Sequence, residues 1–334
     1  MINVEELAEG VRAGQRGSLA RAITLVESTR PEHQQLAQRL LTALADAAPK
    51  EPSWRIGLTG VPGVGKSTLI EQLGFQLCEA GHRVAVLAVD PSSSVRGGSI
   101  LGDKTRMARL SKHPGAYIRP SPTGGNLGGV HRKTRESIRL VEAAGYDVVL
   151  IETVGVGQSE ISVSEMVDTF VVLMLAGAGD ELQGIKKGIL EVADIVAVNK
   201  ADGENIDASR AARNSYAGAL RLVRPANPSW RARVLTCSGE TGEGVDRLWE
   251  VIGEHRQALR DHGELTTRRA RQDQRWMWSL VEAELLSRLR SNETAMSAAA
   301  ELEAEIAAGR LPPTLAAWRL LSAHDRQETN INKQ

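Results

Sequence analysis

The stretch Ile56-Gly57-Leu58-Thr59-Gly60-Val61-Pro62-Gly63-Val64-Gly65-Lys66-Ser67-Thr68 decides how the rest of this chain is read. A short apolar run, Ile56 to Thr59, gives way to a glycine-rich turn and then to a helical stretch running from Lys66 toward Ala80. Gly60 to Ser67 fits the phosphate-loop pattern, placed between a strand and a helix as the mechanism of that loop requires. The glycines let backbone N–H groups converge on a phosphate chain, and the helix N-terminus adds a favourable dipole. The expected ligand is a nucleoside triphosphate, bound by Gly60, Val61, Pro62, Gly63, Val64, Gly65, Lys66, Ser67 and Thr68. Lys66 would reach the β- and γ-phosphates, and the Ser67 hydroxyl would ligate Mg²⁺.

Outward from this loop, five further β-rich apolar runs recur: Val84 to Val89, Val148 to Ile151, Phe170 to Leu175, Ile195 to Val198 and Val234 to Thr236. Each ends in a glycine or a polar residue, and helical stretches separate them. Runs apolar on both faces and joined by helical crossovers predict an α/β fold, a mostly parallel sheet covered by helices on both faces. Residues 1–50 have helical composition, with Leu19, Ala22, Ile23 and Val26, then Leu36, Leu40, Leu41 and Leu44, at helical spacing. Glu51-Pro52-Ser53 punctuates, so the nucleotide domain is expected over 51–262. Residues 263–334 return to helical, charged composition and predict either a packed helical cap or, the preferred reading, an arm that buries its apolar face on another chain. Pro312-Pro313 predicts a break between a helix ending near Gly309 and a short last helix around Leu315 to Leu321.

Composition narrows the classes. The chain has 334 residues, 42% of them apolar and 25% charged, enough for a globular core. Lys plus Arg is 41 and Asp plus Glu is 41, so no net field draws it to nucleic acid or an anionic membrane. Aromatics at 3% give no stacking platform for bases. The longest strongly apolar run, Phe170 to Ala176, is far short of the roughly 20 residues of a membrane helix. Two distant cysteines, Cys78 and Cys237, and the lack of a signal peptide at Met1 predict a cytoplasmic protein with reduced thiols in its core.

The base is expected to be read by Asn199-Lys200-Ala201-Asp202, after the run Ile195 to Val198. A carboxylate at Asp202 can accept hydrogen bonds from guanine N1–H and the exocyclic amine, a pair adenine does not offer, so GTP is favoured over ATP. Ser238-Gly239-Glu240 is placed to contact the base edge from the other side. Asp90 and Glu152 close two further strands where a phosphate-bound cation needs oxygen ligands, and both are metal-shell candidates. Asp103 is another candidate, with a solvated surface Asp as the alternative. Pro91 to Gly98 and Gly155 to Glu160 have the glycines and hydroxyls of loops that close on a γ-phosphate. Gln158 is a candidate for orienting water, although its spacing departs from the Asp-x-x-Gly-Gln form and packing is the alternative. Arg96 and Arg106 are further phosphate candidates.

With these residues in view, the sequence resembles the MeaB-type GTPase chaperones of methylmalonyl-CoA mutase, within the broad class of the nickel-insertion GTPases. The resemblance rests, in order, on GVPGVGKS from Gly60, AVDPSS from Ala88, GGSILGDKTRM from Gly97, IRPSP from Ile118, ETVGVGQSE from Glu152, GAGDELQGIKKG from Gly177 and NKADG from Asn199. It covers about residues 20–260 closely and the C-terminal arm more loosely. It implies a homodimer, joined through the arm, that binds GTP/GDP and Mg²⁺ and hydrolyses GTP slowly. That hydrolysis would be coupled to loading and repair of an adenosylcobalamin-dependent acyl-CoA mutase, with methylmalonyl-CoA mutase the default client and a cobalamin adenosyltransferase a further partner. It also implies a magnesium site at Ser67, Asp90, Asp103 and Glu152, and catalytic roles for Lys66, Glu152 and Gln158. Gly177 to Gly188 matches a third switch, with Lys186 and Lys187 as relay candidates. The alternatives are a metallochaperone GTPase, which the scattered histidines and the missing Cys-x-x-Cys argue against, and a nucleotide-dependent regulator of amino-acid transport.

Overall fold

The computed structural model describes residues 2–47, 51–89, 107–120, 127–153, 159–177, 187–222 and 227–331. Strand β1 (Trp54–Gly60) lies at the centre of a seven-stranded sheet with β2 (Val84–Val89), β3 (Ala116–Arg119), β4 (Val148–Thr153), β5 (Thr169–Leu175), β6 (Ile195–Asn199) and β7 (Arg233–Thr236). The order is β3-β2-β4-β1-β5-β6-β7, and every pairing is parallel. Each run identified in the sequence is a strand. Ala116–Arg119 is added at one edge, four residues too short to show a period of their own. The chain builds outward from β1 through β2 to β3, inserts β4 between β2 and β1, and then adds β5, β6 and β7 on the other side. The carboxyl end of β1 is therefore the crevice in which such sheets bind ligands.

Alternate side chains feed two cores. Val84 and Val86 join Ile56, Leu58, Leu150, Val171, Leu173 and Ala197 on one face. There they pack against α4 (Lys66–Glu79) and α9 (Val245–Asp261) through Leu69, Ile70, Leu73, Leu248 and Ile252. Ala85 and Leu87 join Val149, Ile151, Phe170, Val172 and Val198 on the other face, against α1 (Val4–Arg12), α2 (Arg16–Glu27), α3 (Pro31–Ala43) and α5 (Leu127–Ala143). This double burial is why the strands read as continuous apolar runs. The N-terminal helices are thus part of the sheet's second covering layer, and Arg119 at the end of β3 pairs with Glu27 of α2.

Three more helices complete this unit: α6 (Ser159–Ser164), α7 (Lys187–Val192) and α8 (Ile206–Leu222). Gly57 lets α6 lie close over β1, since a Cβ there would meet Val163 Cγ1 at 2.9 Å. A long helix, α10 (Glu264–Ser291), begins in the same unit, after a turn at Gly263 with φ +66°. Two compact units are present, Met1–Gln272 and Asp273–Gln334. The second holds the rest of α10 with α11 (Glu293–Ala307) and α12 (Pro313–Ile331). Asn292 caps α11 by accepting from the Ala295 amide at 2.9 Å. Pro313 opens α12, as the double proline predicts, but that helix runs 19 residues rather than the short segment expected. Within this unit Trp278, Leu285, Leu286, Trp318 and Leu321 are exposed. Among the described residues no helix is long and apolar enough to cross a membrane.

Candidate functional site

The loop leaving β1 has left-handed backbone at Gly63 and Gly65, φ +79° and +93°. Those conformations suit glycine alone among common residues. At Gly65 a side chain is also excluded by space, because its Cβ would lie 2.7 Å from Asn199 Nδ2. Lys66 opens α4 and is almost fully buried; its ammonium donates to the carbonyls of Gly60 at 2.8 Å and Val61 at 3.2 Å. The loop thus folds around its own lysine, placing that charge among the amides of a helix N-terminus. Val64 is fully buried and anchors the loop in the core, while Pro62 and Gly63 are exposed at its tip and Thr68 faces out from the first turn of α4.

Ser67 and Glu152, 85 positions apart, meet here: the Ser67 hydroxyl donates to Glu152 Oε1 at 2.8 Å. The sheet register explains the meeting, since Glu152 lies beside Leu58 of β1 and Ala88 of β2. The next residue, Thr153, donates to Thr59 Oγ1 at 2.8 Å, a wholly buried bond between the carboxyl ends of β4 and β1. Two hard oxygen groups beside a phosphate loop suit a divalent cation such as Mg²⁺. Asp90, Asp103 and Gln158 lie outside the described residues, as do Arg96, Arg106 and Lys186. Lys187 is the first residue of α7.

The segment Asn199 to Asp202 adopts a connected geometry. Asn199 is buried at the end of β6; its Nδ2 donates to Val64 O at 2.8 Å, and its Oδ1 accepts from the Gly239 amide at 3.0 Å. It ties the phosphate loop to the loop after β7, a part that four-residue spacing does not announce. Lys200 follows with φ +60°, the one described non-glycine residue in left-handed backbone, and is exposed. Asp202 is half-buried and accepts a hydrogen bond from the Ser238 hydroxyl, which itself accepts from the Thr241 amide at 3.1 Å. Ser238 is fully buried, Gly239 sits against the backbone of Leu69 in α4, and Glu240 is exposed. Asn199, Lys200, Asp202, Ser238 and Gly239 therefore form one assembly with the phosphate loop.

Cys237 joins it unannounced. Its thiol lies 3.7 Å from Asn199 Oδ1, and burial pushes its pKa up to about 12, so it stays a neutral thiol. The sequence places it in the core, which it is, but the contact with Asn199 depends on β6 and β7 being neighbours. The opposite end of the sheet carries a charged group that the sequence did not single out. Arg55 forks onto Glu142 at 2.6 and 2.8 Å, and Arg269 onto Asp168. Burial alone would raise the Glu142 carboxyl, but the Arg55 hydrogen bonds and charge outweigh it and hold the group below the usual carboxylate range. For Asp168, Arg269 outweighs burial in the same direction.

Comparison with known proteins places the chain in a family. Residues 19–294 match the family described as Methylmalonyl Co-A mutase-associated GTPase MeaB. A probable GTPase of Mycobacterium tuberculosis is 58% identical over 318 residues, covering 95% of this chain and 94% of its own. The mitochondrial methylmalonic aciduria type A homolog of Mus musculus is 46% identical over 328 residues, covering 96% and 79%. The solved structure of a LAO/AO transport system kinase is 38% identical, with a TM-score of 0.77, over 96% of this chain and 98% of that one. With a family match that spans residues 19–294 and relatives similar over nearly the whole length, this chain belongs to the MeaB family of methylmalonyl Co-A mutase-associated GTPases.

Proposed function

We propose that this GTPase is a chaperone of an adenosylcobalamin-dependent acyl-CoA mutase, with methylmalonyl-CoA mutase the first client to test, coupling GTP binding and hydrolysis to cofactor loading and repair. The family match over residues 19–294, whose description names mutase association, carries the reading. A cobalamin adenosyltransferase is a further proposed partner. Homodimerisation is supported by the exposed Trp278, Leu285, Leu286, Trp318 and Leu321 of the second unit, an apolar set suited to burial on a second copy. The proposed location is the cytoplasm.

The chain's own residues suggest how hydrolysis proceeds. Backbone amides from Gly60 to Thr68 hold the phosphates, and Lys66, already fixed by two carbonyls, adds positive charge where charge develops on the transferred phosphoryl group. Ser67 and Glu152, together with Asp90 and Asp103, would hold Mg²⁺, which when bound neutralises phosphate charge. Water is the acceptor, and Gln158 is the residue proposed to orient it. Asp202, steadied by Ser238, accepts from the guanine edge, and Asn199 keeps the base-reading segment in register with the phosphate loop.

The test compares hydrolysis of GTP and ATP by the purified chain, with and without a cobalamin-dependent acyl-CoA mutase. The expected result is GTP-selective turnover that the mutase accelerates, with Asp202→Asn reducing the preference for GTP over ATP on the order of 100-fold. Turnover indifferent to every such mutase would overturn the chaperone reading. It would favour nucleotide-dependent regulation of amino-acid transport, the second reading, which the likeness to the solved LAO/AO transport system kinase supports.

A further inference from the structure

A four-residue connector, Glu165 to Asp168, joins α6 to β5, and three side chains from two other helices grip it. Arg135 of α5 donates through Nη2 to Glu165 O at 2.7 Å, and through Nη1 to Gln272 O at 3.3 Å. Gln272 of α10 is buried and donates through Nε2 to Val167 O at 2.8 Å. Arg269, one helical turn earlier, takes Asp168 Oδ1 at 2.8 Å and also donates to Ser53 O at 2.7 Å. Asp168 in turn exchanges bonds with the Arg55 backbone, accepting at Oδ2 from its N–H at 3.2 Å and donating its own N–H to Arg55 O at 2.9 Å.

The placement of this connector gives the grip a consequence. The helix before it, α6, begins within the second glycine-rich stretch and packs over β1 through Val163 at Gly57. The strand after it, β5, ends at Leu175, two residues before Gly177, where the glycine-rich stretch Gly177 to Gly188 starts. A shift of α6 on β1 would be transmitted to Glu165 and Val167, the residues whose carbonyls Arg135 and Gln272 hold. The grip is also incomplete in one respect: Gln272 Oε1 is buried with no hydrogen-bond partner among the described residues. A buried acceptor left unpaired is costly, so an arrangement that supplied it a donor would be competitive with this one. That is what a two-state element requires.

We propose that Arg135, Arg269 and Gln272 couple the guanine nucleotide to the root of α10, the connector Glu165 to Asp168 being the element that both ends bias. This goes beyond the chaperone reading and does not depend on which client is served. Coupling is reciprocal, so weakening the grip must change the preference of the site for GTP over GDP.

Affinities of the full chain for GDP and for a non-hydrolysable GTP analogue are measured by calorimetry for the natural sequence, Gln272→Leu and Arg135→Lys, with thermal unfolding in parallel. Both variants keep side-chain volume close to the original while altering the hydrogen bonds. The expected result is a change of about fivefold or more in the ratio of the two affinities. A smaller change in that ratio, or an equal fall in both affinities alongside a fall in Tm, identifies a structural staple and overturns the proposal. Should either variant fail to fold, hydrogen exchange in the natural sequence decides. Amides of residues 165–168 and 268–272 that exchange differently with the two nucleotides support the coupling, and identical exchange overturns it.

Discussion

At the carboxyl end of β1 Lys66 donates to two carbonyls, while Glu152 and Asp202 accept from the hydroxyls of Ser67 and Ser238. At the amino end of the same strand the charges are buried against each other, Arg55 with Glu142 and Arg269 with Asp168. The difference separates two uses of charge in one sheet. A dipole fixes a charged group in place and leaves its field available to a ligand, whereas an opposite charge cancels that field and anchors two elements together. Carbonyls and hydroxyls orient the groups proposed to meet a triphosphate, and the ion pairs of the opposite end hold helices to the sheet.

Removing one charge at each end should therefore have opposite signatures. Lys66→Ala, under the proposed role, lowers single-turnover GTP hydrolysis roughly 1000-fold while the urea unfolding midpoint moves little. A loss below tenfold would mean that the lysine mainly shapes the loop. Arg55→Met removes the forked ion pair of buried Glu142, leaving it the Ser53 hydroxyl, and should cost about 3 kcal/mol in urea unfolding. Hydrolysis per folded molecule should stay within about twofold; a parallel loss of rate would show that the two ends are not separable.

Acid provides the smallest and most graded version of the comparison. His255 is fully buried, with Nδ1 2.9 Å from Thr169 Oγ1 and Nε2 3.4 Å from Asp194; Arg268 pairs with the same Asp194 and the Trp230 ring lies tilted against the imidazole. Burial lowers its pKa despite Asp194, so the unfolded chain takes up the proton first and stability falls as pH drops through about 6.5. Glu142 and Asp168, held below the usual range, act lower: their contribution is complete above about pH 5 and is lost as pH falls through their lowered pKa values. Urea unfolding at pH 7.5 and 5.5 should show a loss of up to about 1 kcal/mol, and His255→Gln should flatten it. An unchanged slope in that variant would assign the titration elsewhere.

Much of the nucleotide end was legible because it is local. Gly60 to Ser67 needs only one strand, one turn and one helix, all contiguous, and the α/β class follows from apolar runs whose period shows in a few residues each. Glu152, Asn199 and Ser238 were named from their strand ends, but the contacts they make around that loop were not legible, because these depend on neighbours distant in sequence. Ala116–Arg119 is too short to announce a strand, and the use of Asn199 as a tether becomes visible only when Val64 and Gly239 lie on either side of it.

The sequence by itself determined the parallel α/β architecture, the strand, glycine-rich turn and helix from Ile56 to Ala80 and, through the order of its motifs, the family. Tertiary structure decided the strand order that brings Glu152 to Ser67 and Thr153 to Thr59, the contact of Cys237 with Asn199, and the grip of Arg135, Arg269 and Gln272 on the connector before β5. The physical reason is range. Backbone conformation and side-chain periodicity are set by residues a few positions apart, while hydrogen bonds and ion pairs across a sheet depend on register and crossover, which no local pattern encodes.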